Sequence, residues 1–253
     1  MIRRFNRYEL KYILPVEKCD RIIRDLQGFA HPDSHGGARG YHVVSLYYDS
    51  PALDFFWAKI EGIKYRRKVR LRIYPENDIE ATTRGMVEIK QRINRTVQKR
   101  RIELPLDEAE QLCTGYVQLT DLDLLDQQVA SEVQYLVNAM HLQPTGITDY
   151  WRRAFVGDLY DAGLRITFDT ELRFRAHALT VNLSAENHLF LPPDICIMEV
   201  KANDAIPNWV TSLLGRHNCQ LQRVSKYCAG LAKVKEIQVM PLAISRTEKT
   251  TER

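Results

Sequence analysis

"KVRLRIY", residues Lys68 to Tyr74, is the stretch that decides the fold. Lys68, Arg70 and Arg72 alternate with Val69, Leu71 and Ile73, and alternate side chains of a strand point to opposite faces. One face is apolar and the other wholly cationic. Like charges repel across neighbouring strands, so three cations in succession ask for something negative opposite them.

The same signature recurs on both sides of this stretch. Glu9 and Lys11 share a face, as do Glu88, Lys90 and Arg92 against Val87, Ile89 and Gln91. Lys99, Arg101 and Glu103 oppose Ile102 and Leu104. Tyr150, Arg152 and Ala154 oppose Trp151, Arg153 and Phe155. Arg165, Thr167, Asp169 and Glu171 oppose Ile166, Phe168 and Leu172, and Glu199 and Lys201 oppose Met198 and Val200. An antiparallel sheet with one solvated face alternates in this way too, with lysines guarding its edges. The cationic rows and the apolar helical stripes favour another arrangement. If the sheet curls into a barrel beneath helices, the charged rows line the inside. Unpaired cations there are very costly unless the interior is wet and filled by a polyanion, with a metal ion helping. The expected ligand is phosphate-rich and elongated.

Strands are expected over 5–14, 41–50, 64–75, 85–93, 95–106, 147–157, 164–174 and 194–202, each bounded by turn residues. Helical spacing marks 15–29, 52–62, 107–141, 205–217 and a segment around 225–234. The Gly-, Pro- and Ser-containing stretch 31–40 reads as a loop. The fold class is α+β, with one domain over 1–236 and a loosely ordered tail over 237–253.

The chain has 253 residues and a net charge of only +4, so anion binding rests on local arrangement rather than a global field. Cys19, Cys113, Cys196, Cys219 and Cys228 have no zinc spacing. They read as reduced thiols of a cytoplasmic protein. No run has the length of a membrane span, although a separate membrane partner stays open. His31 and His35 sit in the polar loop, and no nucleophile-elbow motif supports a Ser/His/Asp hydrolase. A nucleic-acid groove with interleaved aromatics is not apparent. Tyr47, Tyr48 and Trp151 read as packing, and Arg92 and Arg101 stand outside the primary set.

The ordered series "RYELKY", "SLYYDSP", "EGIKYRRKVRLRIY", "VEIKQRINRTVQKRR", "YWRRAF", "LRITFD", "IMEVK" and "SKYC", from Arg7 to Ala232, resembles the VTC (vacuolar transporter chaperone) polyphosphate polymerase domain. That family lies among the triphosphate tunnel metalloenzymes, relatives of the CYTH phosphohydrolases. The resemblance implies an eight-stranded antiparallel β tunnel, a closed barrel with a basic interior, open at both ends and covered by helices. It implies ATP or another triphosphate as substrate, inorganic polyphosphate as product, and Mn²⁺ or Mg²⁺ as cofactor. Related members hydrolyse triphosphates, and a non-catalytic polyphosphate sensor is a third reading.

Carried over by motif, the catalytic cradle is Arg70, Arg72, Lys90, Arg152, Arg165 and Lys226, with Lys11, Lys59, Lys99, Lys201 and Ser225 binding substrate. Glu199 is the implied metal ligand, with help from Glu9, Glu88 or Glu103. Asp169 either straightens an arginine or binds metal, and Ser225 either meets phosphate or caps the last helix. Strand alternation prefers Arg152 over Arg153. The superfamily's first strand often reads Glu-x-Glu-x-Lys, and here Arg7 takes the first position. The loss of one carboxylate fits the polymerase branch better than a hydrolytic one.

Overall fold

The computed structural model describes residues 7–36, 40–75, 83–94, 96–115, 119–182, 185–203 and 205–239, with the side chain of Arg7 excepted. The chain opens with β1 (Arg7–Pro15), α1 (Val16–Asp25), β2 (Ala30–Pro32), β3 (Tyr41–Asp49) and α2 (Asp54–Ile60). It continues through β4 (Tyr65–Ile73), β5 (Arg84–Ile93), β6 (Thr96–Pro105), α3 (Leu106–Leu112) and α4 (Leu124–Met140). Then come β7 (Gln143–Gly157), β8 (Arg165–Arg175), β9 (His188–Leu189), β10 (Ile195–Asn203), α5 (Asn208–Arg216) and α6 (Lys226–Val234). Pro15 and Pro105 end β1 and β6 directly before helices. A proline cannot donate to a ladder, so the chain turns from strand to helix there.

Eight strands form one antiparallel path in the order β1-β10-β8-β7-β3-β4-β5-β6, and β2 and β9 pair with β7 and β8 off that path. The stretch expected as a loop thus supplies a short strand, with His31 opposite Val156. The long helical run divides into α3 and α4. Asp123 starts α4 by accepting the Asp126 N–H at 2.8 Å.

The sheet is strongly curled. β1 and β5 stand six places apart in the path, roughly 29 Å in a flat sheet. Yet Lys90 Nζ on β5 meets Glu9 Oε2 on β1 at 2.6 Å. The expected closed barrel is corrected in one respect: among the described residues no ladder joins β1 to β6. Side chains bridge the seam instead, and the Lys11 carbonyl accepts the Gln222 N–H at 2.8 Å.

Helices cover the convex face. On α4, Val129, Ala130, Val133, Leu136 and Val137 form one apolar stripe. With α3 it buries Val69, Leu71, Val87, Ile89, Ile102 and Leu104. α1 and α5 cover Tyr12, Leu14, Ile166, Phe168, Met198 and Val200. Each such side chain stabilises by about 1.5–3 kcal/mol. The apolar side of "KVRLRIY" is therefore core, and its cationic side faces the hollow.

A third cluster lies on the concave side. Ile13 follows Glu9 and Lys11 in strand parity, and Ile197 precedes Glu199; both pack with Tyr227 and Leu231 of α6 and Phe56 of α2. α6 and α2 thus fill one end of the hollow, where the expectation had both ends open. Glu171 helps to build this plug. Its φ of 51° and the nearby register shift break the alternation of β8. Leu172 and Phe174 then join the α6 cluster, whereas the sequence pattern grouped Leu172 with Ile166 and Phe168. Gly230 seats α6 on Phe174: a Cβ there would lie 2.4 Å from the ring. Ile237 and Val239 also pack on this cluster, and the rest of the expected tail lies outside the described residues. Among the described residues, no helix is long and apolar enough to cross a membrane.

Candidate functional site

The charged rows of β1, β10, β8, β7, β4, β5 and β6, with the hydroxyls of Ser45 and Tyr47 on β3, meet beside the α6 plug. Glu199 on β10 is the hub. Its Oε1 accepts from Lys226 Nζ at 2.8 Å and lies 3.2 Å from Lys11 Nζ, while Oε2 accepts from Lys201 Nζ at 2.7 Å. Lys11 also lies 3.2 Å from Glu9, which holds Lys90. Burial alone would raise the Glu199 carboxyl. Lys11, Lys201, Lys226 and Arg152 outweigh it and hold Glu199 well below the usual carboxylate range.

Asp169 is the second anchor. Its carboxylate takes two bonds from Arg152, and Lys226 Nζ lies 2.5 Å from Oδ2. Arg152, not Arg153, therefore faces the hollow; Arg153 bonds Asp20 of α1 at 2.8 Å on the convex side. Asp169 straightens an arginine, one of the two roles weighed for it. Lys226 is raised above its ordinary value: burial lowers it, and Asp169 and Glu199 more than offset that.

Glu88 is the third anchor. It accepts from Arg70 Nε at 2.6 Å and pairs with Lys99. Burial pushes it up, but Arg70, Arg72 and Lys99 push it further down.

Arg72 differs from these. It is buried, and among the described residues its hydrogen-bond partners are hydroxyls alone: Ser45 Oγ at 3.0 Å, Tyr150 at 3.3 Å and Tyr74 at 3.4 Å. Among the described residues it has no carboxylate partner. Burial and the repulsion of Arg70 lower it, but Tyr150, Tyr74 and, at longer range, Glu88 more than offset them. Bonded directly to hydroxyls alone, its planar fork suits phosphate.

The remaining expected residues spread around this centre. Arg165 stands opposite Lys201 in the ladder and bonds Asp33 at 2.6 Å and the Tyr41 hydroxyl at 2.8 Å rather than Glu199. Lys59 of α2 is pushed down to about 8, first by burial and then by Lys68. Lys201 is lowered to about 8 by burial, which Glu199 only partly offsets. Ser225 is the N-cap of α6, accepting from Cys228 N–H at 3.3 Å and from Lys68 Nζ at 2.5 Å. The capping role is therefore present, and a lysine joins it to the hollow. Glu103 is exposed and pairs with Arg84 at 3.0 Å rather than with a residue of the centre.

Sequence reasoning passed over three participants. Tyr150 donates to no carboxylate but lies within 3.4 Å of Arg152 as well as Arg72. The Tyr47 hydroxyl accepts from Arg70 at 3.1 Å, and its ring stacks on Tyr227 at 4.9 Å. Burial raises Tyr47, but Arg70, Arg72 and Lys68 bring it down to about 8. Lys68 itself was quoted for its pattern and given no role. The available signal was strand parity: Tyr150 precedes Arg152 by two, and Tyr47 stands opposite Arg70. Tyr48, on the opposite parity, is packing in the convex core.

Glu199 and Glu9 are hard oxygen donors that already share one positive charge, Lys11. Lys201 and Lys226 also hold Glu199, and Lys90 holds Glu9, so a divalent ion drawing its other oxygens from phosphate and water would have to displace lysines here. Among the described residues no group of three His, Cys, Asp or Glu side chains gathers as a metal cluster, and Glu88 is committed to Arg70 and Lys99.

A family model described as VTC domain matches residues 6–235. No curated protein matches the chain. Among solved structures, a chain from the structure of the Schizosaccharomyces pombe Mediator head module is similar at 10% identity and a TM-score of 0.48, covering 85% of this chain and 96% of that one. A likeness at that score carries no argument.

Proposed function

The chain belongs to the VTC domain family, and on that premise we propose that it is a polyphosphate polymerase. It transfers the terminal phosphate of ATP to a growing inorganic polyphosphate chain lying in the cationic hollow. The observation that carries this reading is Arg72, buried among hydroxyls with no carboxylate partner among the described residues. An anion completes its surroundings, and the neighbouring Arg70, Arg152, Lys226 and Lys11 extend the same demand over several phosphates.

Phosphoryl transfer asks for charge neutralisation and in-line placement. The terminal oxygen of the acceptor chain forms a bond to the γ-phosphorus as the bond to the β-phosphate oxygen breaks, and ADP leaves. That acceptor oxygen is already anionic near neutral pH, so no side chain has to remove a proton. Arg70 and Arg72 hold phosphate oxygens as planar forks. Lys226, Lys11 and Lys201 act as point charges, and Tyr150 and Asp169 keep Arg72 and Arg152 oriented. Mg²⁺ or Mn²⁺ held by Glu199, with Glu9 beside it, would add further neutralisation of phosphate charge.

The test is incubation of the pure protein with ATP and Mn²⁺, with products resolved on a gel. Chains that disappear in the Arg72→Ala variant support the polymerase. Free phosphate without chains would instead indicate a tunnel hydrolase. A sensor is the second reading, favoured by the lysines that already neutralise Glu199. It predicts polyphosphate binding without turnover that survives Glu199→Ala.

A further inference from the structure

The cationic row of β4 does not stop at Arg70. It continues through Lys68 to Arg66, which stands opposite Arg92 of β5 in the ladder. From Arg66 to Arg72 is six residues of strand, roughly 20 Å, longer than a triphosphate extends. Lys68 marks where the row passes the start of α6, through its bond to Ser225. Beyond that point the electrostatics change. In the centre Lys11, Arg70, Arg152 and Lys226 each pair with a carboxylate. Among the described residues, Arg66, Lys68, Arg92 and Arg223 pair with none; Arg66 and Arg92 bond only the backbone carbonyls of Ile63 and Asn94, at 2.7 and 2.8 Å. Arg66 is lowered first by burial and then by repulsion from Arg92 and Arg223. Arg66 and Arg92 thus stand together on the ladder, and Arg223 lies two residues before Ser225, which Lys68 reaches; no carboxylate among the described residues pairs with any of the four.

We infer that Arg66, Arg92 and Arg223 form a distal subsite beside the start of α6, which holds the far part of a polyphosphate chain whose near end lies at Arg72. The inference rests on the phosphate-polymer reading of the central site. A triphosphate at Arg70 and Arg72 is too short to reach the subsite, whereas a long chain spans both. Occupancy of the second site then adds to the first, as for any two linked contacts. The subsite makes the protein prefer long chains.

The test is titration calorimetry of the whole chain with tripolyphosphate and with long-chain polyphosphate at fixed ionic strength, because exposed charges are screened by salt. The parent is compared with an Arg66→Gln, Arg92→Gln, Arg223→Gln triple variant whose melting temperature is checked. The expected result is tighter binding of the long chain by the parent, lost in the variant by about tenfold, with tripolyphosphate affinity unchanged. An equal loss for both ligands, or no loss, overturns the subsite while leaving the central site intact. Equal retention of a single-stranded oligonucleotide, lost through the same substitutions, overturns the assignment of the ligand. Length-dependent binding by a protein that makes no polymer upholds the subsite and removes only the polymerase reading.

Discussion

Arg152 and Asp169 stand opposite each other across the β7–β8 ladder and join by two bonds, Nε to Oδ1 at 2.6 Å and Nη2 to Oδ2 at 2.8 Å. Both are buried, and Lys226 shares the same carboxylate. Removing one partner of such a group leaves charge buried without compensation, at a cost of about 3–5 kcal/mol. Asp169→Asn is therefore expected to lower unfolding stability by that order in a denaturant titration. A change below about 1 kcal/mol would show that water already reaches Arg152 and Lys226.

Arg72 predicts the opposite combination. It bonds hydroxyls and no carboxylate among the described residues, so Arg72→Met should cost unfolding stability well under the Asp169→Asn loss. Tripolyphosphate affinity should nevertheless fall by at least about tenfold. Arg72→Lys keeps the charge but not the fork and should recover only part of the binding. Unchanged affinity in the Met variant would remove Arg72 from the site.

Binding should weaken with alkali. Lys201 and Lys59 lose their protons near pH 8 rather than in the ordinary lysine range, and Tyr47 gains a negative charge near the same pH. Each change removes positive potential from the hollow as pH rises. A polyanion prefers the protonated lysines, so its binding takes up protons above that point. Affinity for long-chain polyphosphate, whose internal phosphates stay ionised, is expected to fall between about pH 7 and pH 9, one unit either side of these values. Lys201→Met should flatten part of that slope. A flat profile in the parent would contradict the lowered lysines.

Asp49 ties the plug to the sheet. Its carboxylate accepts backbone N–H groups from Ser50, Phe55 and Phe56 at 2.8–2.9 Å and the Tyr227 hydroxyl at 2.7 Å. Asp49→Ala strands these donors and should cost about 3 kcal/mol. Tyr227→Phe, which removes one bond and leaves the others, should cost about 1 kcal/mol. Equal losses in the two variants, read by thermal unfolding, would mean that the α2 start finds other acceptors.

The rows of charge were legible because a strand's period is two: Arg70, Arg72, Lys90, Arg152, Glu199 and Lys201 fall on the hollow side from parity alone. Parity failed where the backbone left it. The left-handed Glu171 moved Leu172 to the other face, and nothing in "DTELRF" announces that bend. The plug was also illegible, because α6 carries an apolar stripe that suits either side of a sheet. Tyr150 and Tyr47 looked like core because their rings are core; only their hydroxyl ends reach the arginines. The charged rows and helical stripes pointed to a curled sheet, and the resemblance to a closed one; alternation along a strand carries no information on whether the last two edges pair. Instead of a ladder between β1 and β6, the side chains of Glu9 on β1 and Lys90 on β5 meet across the gap.

Glu9, Glu88, Asp169 and Glu199 give the hollow its own resident counter-ions. An arriving phosphate chain does not enter a bare positive field; it trades places with carboxylates that already occupy the lysines and arginines. Its net hold is the small difference between two large attractions, as on an ion-exchange resin, and dilution or salt can reverse it. Such a lining keeps its charges matched when empty, and on the polymerase reading proposed above it would also let go of a product as highly charged as the substrate.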